Sequence, residues 1–325
     1  MRQFSEKIEK YRKIINEKLL TVTNRTYPES LYVPIQYVLS GSGKRIRPLI
    51  LILSCEATGG TIESCIDAAV SVEILHNFTL VHDDIMDNDD WRRGKPTIHK
   101  RWNESVAILS GDGLLILAYQ SLLRTKVDKL EHILNIFTRA IMDVCEGQAM
   151  DKEFEERDDV TTNEYMHMIE KKTARLISVS AEMGALISGA DDDTVKACRD
   201  FGFDMGKAFQ IQDDMFEIIS DRETMGKSLG SDLADGKKTF LLINALHKAG
   251  ESENREINAI LSGAHIGENE VSRIREIFER LNIFELTKKE IEKNIILAKS
   301  RLDALPEKRR LDLISFSDYI LNRTN

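Results

Sequence analysis

Apolar residues recur along most of this chain at spacings of three, four and seven, the repeat of helices with one face turned inward. Ile62, Ile66, Ala69, Val70, Ile74, Val81 and Ile85 form the longest such series and predict one helix over about 61–87. A second is expected over 163–188 and a third over 192–220. Others are expected near 29–40, 45–58, 103–125, 128–150, 238–249, 254–262, 269–281, 284–302 and 307–322. Thr58-Gly59-Gly60, Gly189-Ala190-Asp191 and Leu261-Ser262-Gly263 read as stops. Proline lacks the backbone N–H and clashes with the preceding turn. None occurs between Pro96 and Pro306, so that stretch has no obligatory breaker. Alternating β patterns are absent, and so are Gly/Ser/Pro-rich linkers and short repeats. The pattern predicts an all-α fold: a single domain over 1–325, with long, mostly antiparallel helices around a central cavity and shorter helices outside.

Composition adds limits. Hydrophobic residues make up 42% and charged residues 30% of the 325, an ordinary globular balance. The net charge of −9 argues against a general nucleic-acid binder, which needs a basic face. Cys55, Cys65, Cys145 and Cys198 form no CxxC pair and read as reduced core residues. The opening residues Met1-Arg2-Gln3-Phe4 carry no apolar signal core, and no apolar run looks long enough for a membrane span. A cytoplasmic protein is expected.

Two acidic clusters change the picture. Asp83-Asp84-Ile85-Met86-Asp87 is followed by Arg92-Arg93-Gly94, and Asp213-Asp214-Met215-Phe216-Glu217 by Lys227 and Lys237. Carboxylates at i and i+4 share a helix face and repel unless a cation lies between them. Oxygen-only ligands favour a hard ion such as Mg²⁺, which keeps several waters and binds substrate phosphates. His76, seven residues before Asp83, extends the first acidic face. The alternatives are a solvated acidic helix end and, for the second cluster, a surface patch. Phe209, Ile211, Met215 and Phe216 interleave with the second set of acids and predict a largely buried helix, in which Gly202 and Gly206 permit close approach. Gly41-Ser42-Gly43-Lys44-Arg45-Ile46-Arg47-Pro48 places cations at a helix start, an anion site or else a basic turn. Lys171-Lys172-Thr173 falls inside a helix and could be a surface cation pair.

In order, Gly-x-Gly-Lys-Arg-x-Arg-Pro at 41–48, His76, Asp-Asp-x-x-Asp at 83–87 and Arg-Arg-Gly-x-Pro-Thr at 92–97 are followed by Gly147-Gln148, Lys172-Thr173 and Phe209-Gln210-Ile211-Gln212-Asp213-Asp214. Gly226-Lys227, Asp232-Leu233 and Gly236-Lys237-x-Thr239 complete the set. The ordered set resembles the trans-isoprenyl diphosphate synthases over nearly the whole chain. The resemblance implies the isoprenoid synthase fold and head-to-tail condensation of isopentenyl diphosphate with an allylic diphosphate. By position, Asp83, Asp87 and Asp213 would hold three Mg²⁺ ions on the allylic diphosphate, with Arg92 and Lys227 adding charge. Lys44, Arg47, His76 and Arg93 would bind isopentenyl diphosphate. Lys172, Thr173 and Gln210 would line the reacting centre, and Lys237 would close over it. A homodimer is implied as well. Two departures stand out: Glu217 replaces the usual final Asp, and Ser42 separates Gly41 from Gly43.

In such enzymes residues just before the first motif form the cavity floor, here Phe78 and Thr79. One bulky ring at that place resembles synthases that stop at C20, geranylgeranyl diphosphate, with C15 farnesyl diphosphate as the runner-up. The first motif also lacks the two-residue insertion of many bacterial farnesyl synthases. A terpene cyclase would share the acidic motif but needs no second diphosphate site. A non-catalytic synthase subunit would commonly lose the acidic motifs.

Overall fold

The computed structural model describes residues 2–219, 231–263 and 266–321. It is 79% helical, and the predicted all-α class holds. Its residues pack into two compact units.

The first unit comprises Met1–Thr138, Ile177–Gly202 and Arg301–Phe316. It holds α1 (Arg2–Leu20), α2 (Glu29–Leu39), α3 (Ile46–Ala57) and α4 (Ile62–Met86). A minimal hairpin follows, β1 (Trp91–Arg92) paired antiparallel with β2 (Lys95–Pro96). Then come α5 (Ile98–Arg101), α6 (Glu104–Leu122) and the start of α7 (Leu130–Glu155). α1 has no counterpart in the sequence reading, because its charges are dense around a thin apolar stripe of Ile8, Tyr11, Ile15 and Leu19. The hairpin also escaped it, since each strand has only two residues. Its turn residues Arg93 and Gly94 both have positive φ, +53° and +72°, as a two-residue type I′ turn requires.

α4 runs against α6 in this unit, with Cys65, Ala68, Ala69, Val72 and Ile74 fully buried. Both helices are long and apolar enough to cross a membrane by length and composition alone, a test that core helices also pass, and they are consistent with the expectation of no span. For α4 the reason is packing: a helix enclosed by its own unit is apolar on nearly every side.

The second unit comprises Arg139–Leu176, Phe203–Ser300 and Ser317–Asn325. It holds the rest of α7 and α8 (Thr162–Ile169), a π-helical turn over Glu170–Ala174, and the start of α9 (Arg175–Ile187). It also holds the last part of α10 (Asp192–Ile219), followed by α11 (Ser231–Ala234), α12 (Phe240–Lys248), α13 (Glu251–Leu261), α14 (Glu268–Arg280), most of α15 (Ile283–Arg301) and the end of α16 (Glu307–Leu321). Its core includes Tyr165, Leu241, Ile274, Ile277 and Phe278. The helix expected over 163–188 is therefore interrupted at the Lys171-Lys172-Thr173 segment. Single π turns of this kind gather at functional positions. Among the cysteines, Cys55, Cys65 and Cys198 are buried thiols, whereas Cys145 is exposed on α7, which corrects its reading as a core residue.

Candidate active site

In the first unit the segment before α3 sets the cations. Arg45 stands at the N-cap of α3 with φ +53° and is buried, not displayed. Its guanidinium donates to Glu73 of α4 at 2.6 Å, to Asn16 of α1 at 2.8 Å and to the Gly41 carbonyl. Asn77 closes the cluster by donating to the Glu73 carbonyl at 2.7 Å. One of the three predicted anion-site cations thus clamps the segment, leaving Lys44 exposed and Arg47 half-buried at the helix start.

The Arg93 guanidinium lies over Gly43, joining the hairpin to this segment. His76 stands amid these groups. Burial first, then the fields of Arg47, Arg93, Arg92 and Arg45, hold its imidazole well below the ordinary range. His76 is therefore neutral at pH 7 and surrounded by positive charge, the electrostatic signature of an anion site. A small cavity of about 60 Å³ is lined by Gly41, Ser42, Asn77, Arg92 and Arg93.

Both acidic motifs follow one rule. Their middle carboxylates, Asp84 and Asp214, are buried, while Asp83, Asp87, Asp213 and Glu217 are half-buried. Asp84 accepts from Arg92 Nε at 2.5 Å, and Arg92 also donates to Asp89 at 2.8 Å. Arg92 thus locks the turn after α4. Asp83 is among the acids whose fields act on it. The first motif sits at the C-terminus of α4 with no base in its last turn. Helix dipole and carboxylates there reinforce each other in attracting a cation. Among the described residues no three acidic, imidazole or thiol side chains converge into a finished cage. This donor set fits Mg²⁺, which takes few protein carboxylates and completes its shell with water and phosphate oxygens.

In the second unit a hydrogen-bond relay orders the reacting-centre candidates. Thr173 Oγ1 donates to Gln210 Oε1 at 2.7 Å, Gln210 Nε2 donates to Asp214 Oδ1 at 2.8 Å, and Tyr165 OH donates to Asp214 Oδ2 at 2.6 Å. Burial raises the Asp214 carboxyl to about 7; the bonds from Tyr165 and Gln210 pull it down, and Asp232 and Asp213 push it up. Burial beside Asp214 drives the Tyr165 phenol well above its usual value. Lys172 Nζ reaches Asp151 of α7 at 2.5 Å, and Lys171 pairs with Asp143 and Glu146. Two glycines let helices close on the π turn. A Cβ on Gly147 would lie 2.3 Å from the Lys172 nitrogen, and one on Gly206 would lie 2.4 Å from the Ala174 Cα. Glu217 accepts from the Asp232 N–H at 2.7 Å, and Lys237 Nζ meets Asp232 at 3.1 Å. Lys227 lies outside the described residues.

Sequence reasoning missed Arg45–Glu73, Tyr165 and Asp151. Glu73 carried a signal, as an acid inside the apolar face of 62–82; Tyr165 and Asp151 carried none beyond their spacing from Lys172.

An all-α scaffold that ends two long helices in aspartates, with arginines around a neutral histidine, is a scaffold for diphosphate chemistry. The chain belongs to the polyprenyl synthetase family, whose profile matches residues 28–281. A short chain isoprenyl diphosphate synthase of Methanothermobacter thermautotrophicus is 37% identical over 325 residues, 99% of each chain. A geranylgeranyl diphosphate synthase of Saccharolobus solfataricus is 43% identical over 260 residues, 78% of each. The crystal structure of a geranylgeranyl pyrophosphate synthetase from Pyrococcus horikoshii Ot3 superposes with a TM-score of 0.91 at 35% identity, covering 99% of each chain. This chain has the all-α isoprenoid synthase fold and is a prenyltransferase. The family works with a divalent metal.

Proposed function

We propose that the protein condenses isopentenyl diphosphate head to tail with an allylic diphosphate and releases all-trans geranylgeranyl diphosphate (C20). The observation that carries this reading is the neutral His76 ringed by arginines, a diphosphate pocket additional to the acidic motifs. A terpene cyclase has no use for it. The nearly intact acidic motifs speak against a non-catalytic subunit. The C20 assignment is supported by the names of several relatives. Farnesyl diphosphate (C15) is the second reading, favoured by a (2E,6E)-farnesyl diphosphate synthase of Mycobacterium bovis that is 42% identical over 203 residues.

Lys44, Arg47, His76 and Arg93 bind isopentenyl diphosphate. Asp83 and Asp87 would hold two magnesium ions and Asp213 a third once substrate is bound, with Lys227 and Lys237 adding positive charge. Arg92 does the same while fixing Asp84. Bound magnesium neutralises the charge that develops on the departing diphosphate. The allylic C–O bond breaks and its electron pair leaves with the diphosphate. Thr173 gives its hydroxyl hydrogen to Gln210, so its oxygen lone pairs remain for the carbocation. Lys172, held by Asp151, stands beside that centre. The isopentenyl alkene attacks the cation, and the proton lost goes to the released diphosphate, so no dedicated protein base is required. Glu217 serves as an anchor for the Asp232 segment.

The protein acts in the cytoplasm as a single catalytic domain and a homodimer. The exposed Leu109 and Ile116, seven residues apart on α6, are the kind of surface a second copy would cover. The decisive experiment incubates purified protein and Mg²⁺ with labelled isopentenyl diphosphate and C5, C10 or C15 allylic primers, then resolves products by length. A C20 product dependent on both substrates is expected. A hydrocarbon formed from the allylic diphosphate alone, or turnover that persists in excess chelator, overturns the reading.

A further inference from the structure

The residue just before the first acidic motif ties the end of α4 to α6. His82 is half-buried, and its Nε2 lies 3.3 Å from the Ile108 carbonyl oxygen. A carbonyl only accepts, so Nε2 carries the hydrogen that makes this bond. A buried glycine permits the approach: a Cβ on Gly111 of α6 would lie 2.1 Å from Nε2. The Phe78 ring, one turn earlier on α4, meets the imidazole edge-on at 4.8 Å.

Consecutive helix residues point about 100° apart, so His82 and Asp84 leave α4 on flanks about 200° apart. Asp83 stands between them, and Asp87, one turn on, is nearly in line with Asp83. Both flanks are anchored to other elements. Asp84 accepts from Arg92 of the hairpin at 2.5 Å, and His82 reaches into α6. One anchor alone would leave the last turn of the helix free to roll about it. Two anchors fix its rotation, and with it the direction in which Asp83 and Asp87 face. A magnesium ion that takes only a few protein carboxylates depends on that direction.

We infer that His82 is a positioning residue for the first metal motif: its bond to the Ile108 carbonyl, across the notch at Gly111, sets the orientation of Asp83 and Asp87 toward magnesium. The inference rests on the magnesium-binding role proposed above for these two aspartates. It needs no contact between His82 and ion or substrate.

His82→Phe keeps a ring against Phe78 and removes the donor. The thermal shift that Mg²⁺ produces with an unreactive thiolodiphosphate analogue of the allylic substrate should need about 10-fold more Mg²⁺, the usual loss when a group that orients a metal ligand is removed. KM for isopentenyl diphosphate should stay near wild type, because Lys44, Arg47 and Arg93 lie on other segments. His82→Gln restores an amide donor of similar reach and should recover most of the Mg²⁺ response. Gly111→Ala should reproduce the loss with His82 intact by displacing the imidazole. The double variant Gly111→Ala/His82→Phe should be no worse than either single one, since both break the same bond. A wild-type Mg²⁺ response in His82→Phe overturns the inference. So does a loss that Gln fails to rescue, or one shared equally with isopentenyl diphosphate binding, because His82 is then packing alone. If His82→Phe does not fold, Gly111→Ala decides by the same Mg²⁺ titration, and failure of both to fold overturns the inference because the contact is then structural. Absence of any Mg²⁺-dependent shift in the wild-type protein instead defeats the proposed metal role of the aspartates, and that control reports it separately.

Discussion

Arg45 and Glu73 meet at 2.6 Å with side chains 1% and 2% exposed, one at the N-cap of α3 and the other in the middle of α4. Their distance in sequence hides a single task. Lys44, exposed, and Arg47, half-buried, flank a residue whose own charge is cancelled inside the protein. Removing one member of a buried pair leaves the other charge unpaired. Glu73→Gln should therefore cost about 3–5 kcal/mol of stability, measured by denaturant unfolding. In the folded variant KM for isopentenyl diphosphate should rise while KM for the allylic substrate holds. Equal rises in both would mean that the pair supports the whole unit and not this segment.

Tyr165 touches no candidate substrate contact, yet it ends the relay through Asp214 and Gln210 to Thr173. Tyr165→Phe leaves one buried carboxylate oxygen without its donor. A loss of about 1.5–3 kcal/mol in stability is expected, as for hydrogen bonds to charged groups. Gln210 should then reorient, and kcat should fall with little change in either KM. A variant with wild-type kcat would detach Thr173 orientation from Tyr165.

The helices and the acidic motifs were legible because both depend on local spacing. The 61–87 expectation met α4 at Ile62–Met86 nearly residue for residue, and Gly202 and Gly206 do allow close approach, to Ile177 and Ala174 respectively. What spacing could not give is the division of labour inside each motif. Asp83, Asp84 and Asp87 look alike in sequence, and only burial shows that Asp84 belongs to Arg92. The Arg45 cation was read as facing an anion for the same reason: its partner lies 28 residues away on another helix. The π turn at Glu170–Ala174 was illegible because nothing in its composition distinguishes it from the α-helix around it.

The field around His76 predicts a pH response. The unfolded imidazole titrates near 6.5 and the folded one well below. Above that range both states are neutral and the residue is indifferent. As pH falls through 6.5 the unfolded chain takes a proton that the native protein refuses, so stability drops by up to about 1.4 kcal/mol per pH unit. Asp214, raised to about 7, acts in the opposite sense between pH 7 and 4, because there the native state holds the extra proton. The measurement is therefore a comparison of wild type with His76→Gln at pH 7.5, 6.0 and 5.0. The difference in unfolding free energy should change progressively toward acid in favour of the variant. A constant difference would place the His76 proton equilibrium elsewhere.

The half-buried carboxylates of the two motifs should behave differently from the buried ones. Asp83→Asn and Asp213→Asn should leave the melting temperature near wild type, since both residues are half-buried at helix ends. Their kcat should fall by roughly 10²–10³-fold, as when one preorganised stabiliser of a developing charge is lost, and more Mg²⁺ should be needed for half-maximal rate. Asp84→Asn should instead lower stability, because Arg92 loses its charged partner. If all three variants behaved alike, the separation into metal-facing and structural acids would fail.

The cavity-floor place expected of Phe78 is tested by product length. Its ring is buried, edge-on to His82 at 4.8 Å, and His82 in turn lies against Gly111 of α6. Removing the ring opens space on the α6 side of α4, four to five residues before Asp83, where a growing chain anchored at the acidic motif would arrive. Phe78→Ala should lengthen the product by one or more C5 units on reversed-phase chromatography. It should also destabilise the protein by about 3–5 kcal/mol, as for a buried aromatic truncated to alanine. Phe78→Leu, a milder cavity, provides the control: a smaller stability loss with a partial shift toward longer products. Thr79, whose hydroxyl is turned back on the His76 carbonyl at 2.8 Å, should matter less, and Thr79→Ser should leave the product distribution unchanged. An unaltered C20 product from both Phe78 variants would reduce that ring to ordinary packing between α4 and α6 and move the floor of the cavity to other residues.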